Sequence, residues 1–230
     1  MTPLVLLHGA IGSSSQFQSL TDELSGSCAV HTLNFPGHGG TPEVNTSFSI
    51  EAFAEHAASF IKQLATDEPV NIFGYSMGGY VAIYMARHHG IRINKIITLG
   101  TKFHWDEATA AKESRMLQPD TIEQKVPAFA QQLQQRHQPG NWKGVLNKTA
   151  AMLGEMGRNN PLRPGDYASI QVPSLIMRGD RDKMVTMEET LAVYNQLPQG
   201  QLSILPATPH PIEQVNAHML AFLIKHFIGS

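Results

Sequence analysis

Six short apolar runs, at residues 4–7, 29–35, 70–73, 95–99, 174–177 and 201–205, are bounded by turn-forming residues and separated by helix-period segments. A strand with one face in water alternates apolar and polar side chains. These runs are nearly continuous, so both of their faces must be covered. A parallel sheet with helices on each side supplies that cover, and the fold class is therefore α/β with a mostly parallel sheet of about six strands. Helices are expected at 16–24, 50–64, 77–88, 188–196 and 213–227. Ser49 is placed to cap the second, in which Phe53, Ala57, Phe60, Ile61 and Leu64 recur at helical spacing.

The alternation stops between residues 103 and 171. That stretch holds helix-forming segments at 108–117, 121–137 and 142–156, punctuated by Pro119, Pro139-Gly140 and Pro161, and no strand pattern. A structureless loop of such length is rare in a compact domain, so a helical insertion between two strands is expected. The resulting organisation is a core domain made of residues 1–102 and 172–230, with a helical cap at 103–171. Met116, Leu117, Phe129, Trp142 and Met152 give the insertion an apolar inner side, mostly a matter of packing.

Composition narrows the function classes. With 17 Lys+Arg against 19 Asp+Glu the net charge is −2, which offers no electrostatic footing for nucleic acid or an anionic membrane. The longest apolar run, residues 219–224, is far too short to span a bilayer. The apolar start at 4–7 faintly suggests a secretory leader, but it lacks a basic flank and is interrupted by His8-Gly9, so none is expected. Cys28 is the single cysteine; no internal disulfide can form, and a cytoplasmic location is expected. Neither zinc-type ligand spacing nor a Gly-rich nucleotide loop after a strand is found, so no metal and no cofactor is expected. The partner left is a small-molecule substrate, with a homodimer open.

Gly74-Tyr75-Ser76-Met77-Gly78-Gly79 lies between the run at 70–73 and the helix at 77–88. Alone the G-x-S-x-G pattern is weak; at a strand-to-helix turn it carries chemistry, because a sharply strained turn needs small neighbours and projects the serine hydroxyl above the sheet. A serine hydroxyl is a poor nucleophile and needs a base, which in turn needs an orienting acid. In chain order, the run at 174–177 leads into Asp180 and Asp182, and the run at 201–205 leads into His210. Spacing leaves the two carboxylates as alternatives. The amide of Met77, at a helix N-terminus, is placed to donate to a developing oxyanion.

These motifs, with His8-Gly9-Ala10-Ile11-Gly12 and Phe35-Pro36-Gly37-His38-Gly39, resemble the α/β-hydrolase superfamily in the family's order and over most of the chain. The resemblance implies the α/β-hydrolase fold, with Ser76 as nucleophile, His210 as general base and acid, and Asp182 as orienting acid with Asp180 as fallback. It also implies that Ala10 supplies a second oxyanion amide and that His8 is structural. Asn34 departs from the pattern, which usually has aspartate there, and the strands that commonly precede the first run are missing, so a minimal six-stranded sheet is expected.

The resemblance points to a serine hydrolase of a carboxylic ester, thioester or lactone with a small, largely apolar substrate. Two alternatives stand beside it: a lyase of the same fold using the serine set as a base, and a non-catalytic ligand-binding module. Ile11, Lys102, His104 and Trp105 are candidate pocket residues at the sheet's carboxyl edge. Lys102 could meet an anionic group; the plainer alternative is a solvated lysine beside a tryptophan that anchors the insertion.

Overall fold

A computed structural model of the chain describes residues 1–42, 47–64 and 68–230. Its strands are β1 (Thr2–Leu7), β2 (Cys28–Thr32), β3 (Val70–Tyr75), β4 (Ile93–Leu99), β5 (Ser174–Gly179) and β6 (Gly200–Leu205). They form one sheet in the order β2-β1-β3-β4-β5-β6, and every neighbouring pair is parallel. Alternate side chains face opposite layers. Val5, Leu7, Ile72, Ile96 and Ile176 enter one cluster, while Leu4, Leu6, Phe73, Ile97 and Leu175 enter the other. This explains the continuous apolar runs, since each fully buried aliphatic or aromatic side chain contributes roughly 1.5–3 kcal/mol.

Helices α1 (Gln18–Leu24) and α10 (Ala217–Gly229) cover one face; α2 (Ile50–Gln63), α3 (Met77–His88) and α9 (Met187–Tyr194) cover the other. As expected, Ser49 caps α2 by accepting from the Ala52 amide at 3.1 Å. Chain order runs outward from β1 to β2, then returns to the other side of β1 for β3. The loops that follow β1 and β3 therefore diverge, and a crevice opens between them at the sheet's carboxyl edge.

Between β4 and β5 lie α4 (Glu107–Arg115), α5 (Pro119–Lys125), α6 (Pro127–His137), α7 (Trp142–Arg158) and α8 (Pro164–Tyr167), with no strand among the described residues. A separate apolar cluster of Ile122, Ala130, Leu133, Trp142 and Leu146 holds part of this segment together. The expected single helix at 121–137 is two, because Pro127 is the first residue of α6 and drives Val126 out of helical backbone, at φ −139°. The helix expected at 213–227 starts at Ala217. Asn216 caps it by accepting from Met219 at 2.9 Å, and residues Ile212–Gln214 form a separate 3₁₀ turn. The strand expected at 29–35 ends at Thr32, since the Phe35 amide donates to His8 Nε2 rather than to a neighbouring strand. Among the described residues no helix is long and apolar enough to cross a membrane.

Candidate active site

Ser76 sits in the turn joining β3 to α3 with φ 52° and ψ −117°, a conformation costing a non-glycine residue on the order of 1–3 kcal/mol. Several bonds fix it there. Its amide donates to Leu99 at 2.8 Å, and its carbonyl accepts from Gly79, Tyr80 and the Thr101 hydroxyl. The flanking glycines are steric necessities: a Cβ on Gly78 would stand 2.1 Å from the Leu7 carbonyl oxygen, and one on Gly79 2.1 Å from Thr101 Oγ1. Backbone thus packs on backbone, and the Ser76 side chain is left partly exposed in the crevice.

The loops after β5 and β6 bring Asp182 and His210 together. Asp182 Oδ2 accepts from His210 Nδ1 at 2.7 Å, while Oδ1 accepts from the amides of Met184 and Val185 at 2.8 and 3.0 Å. Burial pushes the Asp182 carboxyl upward, but the hydrogen bond and charge of His210 and the two amides outweigh it and hold it below the usual carboxylate value. With Nδ1 donating to a carboxylate, Nε2 is the basic nitrogen of His210. Tyr75 Oη donates to the His210 carbonyl at 3.1 Å and fixes the loop. Arg178 donates to the carbonyls of Asp182 and Val185, both at 2.7 Å, from beneath.

Asp180, the alternative carboxylate, does other work. It is exposed and accepts from the Thr208 amide at 3.0 Å, and its bonds to Thr208 and Ala207 hold its pKa down. It ties the β5 loop to the β6 loop and leaves His210 to Asp182.

The loop after β1 passes close to Ser76, since a Cβ on Gly9 would lie 3.2 Å from Ser76 Cβ. His8 is wholly buried. Nδ1 donates to Gly9 O at 2.8 Å and Nε2 accepts from Phe35 N at 3.1 Å, and burial pushes the pKa down to about 3, so the ring is a neutral brace. Asn34 uses both ends of its amide: Oδ1 accepts from Ser14 at 2.7 Å and Nδ2 donates to Gly39 O at 3.2 Å. A carboxylate could make only the first bond.

Ile11, in the left-handed region at φ 52°, is held by the end of α6. Its carbonyl accepts from His137 Nε2 at 3.1 Å and from Arg136 Nη1 at 3.2 Å, while His137 Nδ1 accepts from the Gly39 amide. His137 is fully buried, and burial lowers its pKa to about 4. No sequence pattern linked residues 11 and 137, because the bond joins elements far apart in the chain.

Ser76 and His210 share a cavity of about 700 Å³ that also receives Ala10, Met77, Ile11, Lys102 and Trp105. Its mostly apolar wall includes Met116, Leu117, Met152, Leu153 and Met156. Trp105 lines the cavity and also anchors its segment, with Nε1 donating to Lys102 O at 3.1 Å. The Lys102 ammonium lies 3.4 Å from a Glu189 carboxylate rather than in water. His104 is not part of this cavity: its side chain is 65% exposed, stands 3.4 Å from Asp106, and borders a second, neighbouring cavity. Its place just after β4, at the sheet's carboxyl edge, suggested otherwise, but Lys102 and Trp105 line the cavity while the His104 ring lies by Asp106. Arg136, Glu113 and Met184 line the Ser76 cavity and carried no sequence signal of doing so.

A six-stranded parallel sheet in this order, with a strained serine turn after its third strand, defines an α/β hydrolase, and the family model for the alpha/beta hydrolase fold matches residues 2–141. The chain belongs to that family. Among its relatives is a pimeloyl-(acyl-carrier protein) methyl ester esterase of Neisseria meningitidis serogroup C. The two are 26% identical over 245 aligned residues, which cover 97% of this chain and 92% of the relative. Among solved structures, MenH from S. aureus superposes with a TM-score of 0.80 at 21% identity, covering 99% of this chain and 93% of that one. A thermophilic esterase from Thermogutta terrifontis does so with a TM-score of 0.79 at 21% identity, covering 100% and 90%.

Proposed function

We propose that this protein is a serine hydrolase cleaving a carboxylic ester, thioester or lactone of a small, largely apolar substrate through an acyl-Ser76 intermediate. The observation that carries the reading is the 2.7 Å bond from His210 Nδ1 to a buried Asp182, on a cavity that Ser76 also lines. In this reading His210 Nε2 takes the Ser76 hydroxyl proton as Oγ attacks the carbonyl carbon. Amides of Met77 and Ala10 receive the oxyanion, each donor worth about 3 kcal/mol in a dry site. Collapse expels the alcohol with the proton from His210. Water, deprotonated by the same nitrogen, then releases the acid and restores Ser76. Asp182 stays ionised throughout and keeps the imidazole in the required tautomer. The helices at 103–171 act as a cap whose methionine-rich underside excludes water and accepts an apolar arm.

Relatives named as methyl ester esterases support ester bonds as the target. The lyase alternative drew on Lys102 as an anion partner, and the Glu189 carboxylate beside that ammonium weakens it. A non-catalytic module gives no reason for a strained serine turn on the same cavity as a histidine paired with a buried aspartate. The test is turnover of p-nitrophenyl esters together with fluorophosphonate labelling of wild type and Ser76→Ala. Wild type should hydrolyse and label, and Ser76→Ala should fold but do neither. Wild-type protein that neither turns over nor labels would refute the reading.

A further inference from the structure

Glu113 stands out on the α4 helix. It is 4% exposed, yet among the described residues Oε2 has no hydrogen-bond partner, and the residue lines both the Ser76 cavity and the second cavity of about 550 Å³ beside it. A buried acceptor left unpaired is costly and rarely retained without a partner to meet it. The cations on the Ser76 cavity wall do not serve: Lys102 is engaged by Glu189, and Arg136 by Ile11 O and Glu213. The rest of the surrounding wall is largely apolar, with Trp105, Met116, Leu153 and Met156 offering no donor aimed at a carboxylate.

We propose that Glu113 is the specificity-determining acceptor of this cavity, receiving a hydrogen bond from a donor on the substrate's arm remote from the reacting carbonyl. The substrate class is then an ester whose apolar arm carries a hydroxyl, an amide N–H or an ammonium, and not a plain hydrocarbon ester. This rests on the reading of the Ser76 cavity as the ester site. One donor group in an otherwise apolar arm matches one unpaired acceptor in a largely apolar wall, and a substrate lacking it leaves the carboxyl unmet.

The test separates binding from chemistry by using Ser76→Ala as background. Short-chain methyl esters tipped with a hydroxyl, an acetamido group or an ammonium are titrated calorimetrically against their methyl-tipped matches, with Glu113, Glu113→Gln and Glu113→Leu. With Glu113, at least one donor-tipped ester should bind about 10-fold or more tighter than its match. Glu113→Leu should abolish that preference while keeping or improving affinity for the methyl-tipped ester, which also reports that the cavity is intact. Glu113→Gln should preserve a preference for hydroxyl or amide tips and lose one for ammonium. The same preference with Leu as with Glu overturns the proposal, as does failure of every donor-tipped ester to outbind its match, the result expected if Lys112 or Lys183 from the second cavity satisfies the carboxylate. Hydrolysis persisting in the Ser76→Ala background refutes the serine mechanism instead, and the binding ratio still reports on Glu113.

Discussion

Replacing Ser76 by glycine and by alanine distinguishes the chemistry of its hydroxyl from the strain of its backbone. Both substitutions remove Oγ, but only glycine adopts φ 52°, ψ −117° without steric cost. Relief of about 1–3 kcal/mol, less the roughly 0.5–1 kcal/mol that glycine loses in conformational entropy on folding, leaves Ser76→Gly more stable than Ser76→Ala by about 1 kcal/mol in the middle of the range and by up to about 2.5 kcal/mol. For a chain of this length each kcal/mol moves Tm by roughly 2–4 °C, so the two variants should differ by several degrees in calorimetry. Urea titration of the pair gives the same difference at room temperature. Both variants should be inactive. A Ser76→Gly protein no more stable than Ser76→Ala would show that the bonds to Leu99, Gly79, Tyr80 and Thr101 hold no strained residue, and the account of this turn would fail.

Asp182→Asn should lower kcat by about 10³–10⁴-fold, because the amide no longer holds His210 in its working tautomer, whereas Asp180→Asn keeps an acceptor for Thr208 and should lose less than about 10-fold; steady-state ester kinetics compare them. The buried histidines make stability fall on mild acidification. Their folded pKa values are lowered, to about 4 for His137 and about 3 for His8, so the unfolded chain binds more protons once pH drops below the unperturbed 6.5. Each such histidine removes about 1.4 kcal/mol of stability per pH unit from that point down to its folded pKa. Urea unfolding of wild type and His137→Gln over this range should show a shallower slope in the variant. Below the carboxylate range the depressed Asp182 adds a further loss, since its contribution is present above its unfolded value of 3.8 and disappears as it protonates.

The strands were legible because their signal is collective: Leu4 and Val5, or Ile96 and Ile97, cannot both be buried unless both sheet faces are covered. The positions of Ser76 and His210 followed from loops attached to those strands. Asp180 and Asp182 were harder to separate, since each follows β5 within a few residues and only the tertiary path decides which carboxylate turns inward. Element ends were misplaced where a side chain competes with the backbone, as with Asn216 capping α10 or His8 taking the Phe35 amide. Glu113 was invisible for a different reason. Within Ala-Lys-Glu-Ser-Arg it has the composition of a solvated helix face, and its burial depends on the packing of α4 along α7. Gly157 marks that close approach, for a Cβ there would stand 2.6 Å from the Ala110 Cβ.

The bonds that hold Ser76 come from β4, α3 and the residues just after β4, and none comes from α4–α8. The helices between β4 and β5 are therefore free to diverge in sequence, or to be exchanged between homologues, without disturbing the strained turn. Ile11 is the exception. Its carbonyl is gripped by Arg136 and His137, so changes at the end of α6 reach the loop bearing Ala10 and, on the proposed function, should alter turnover as well as substrate choice. A transplanted insertion that keeps an arginine-histidine pair at this point carries its specificity with it; one that lacks the pair must find another way to brace the loop.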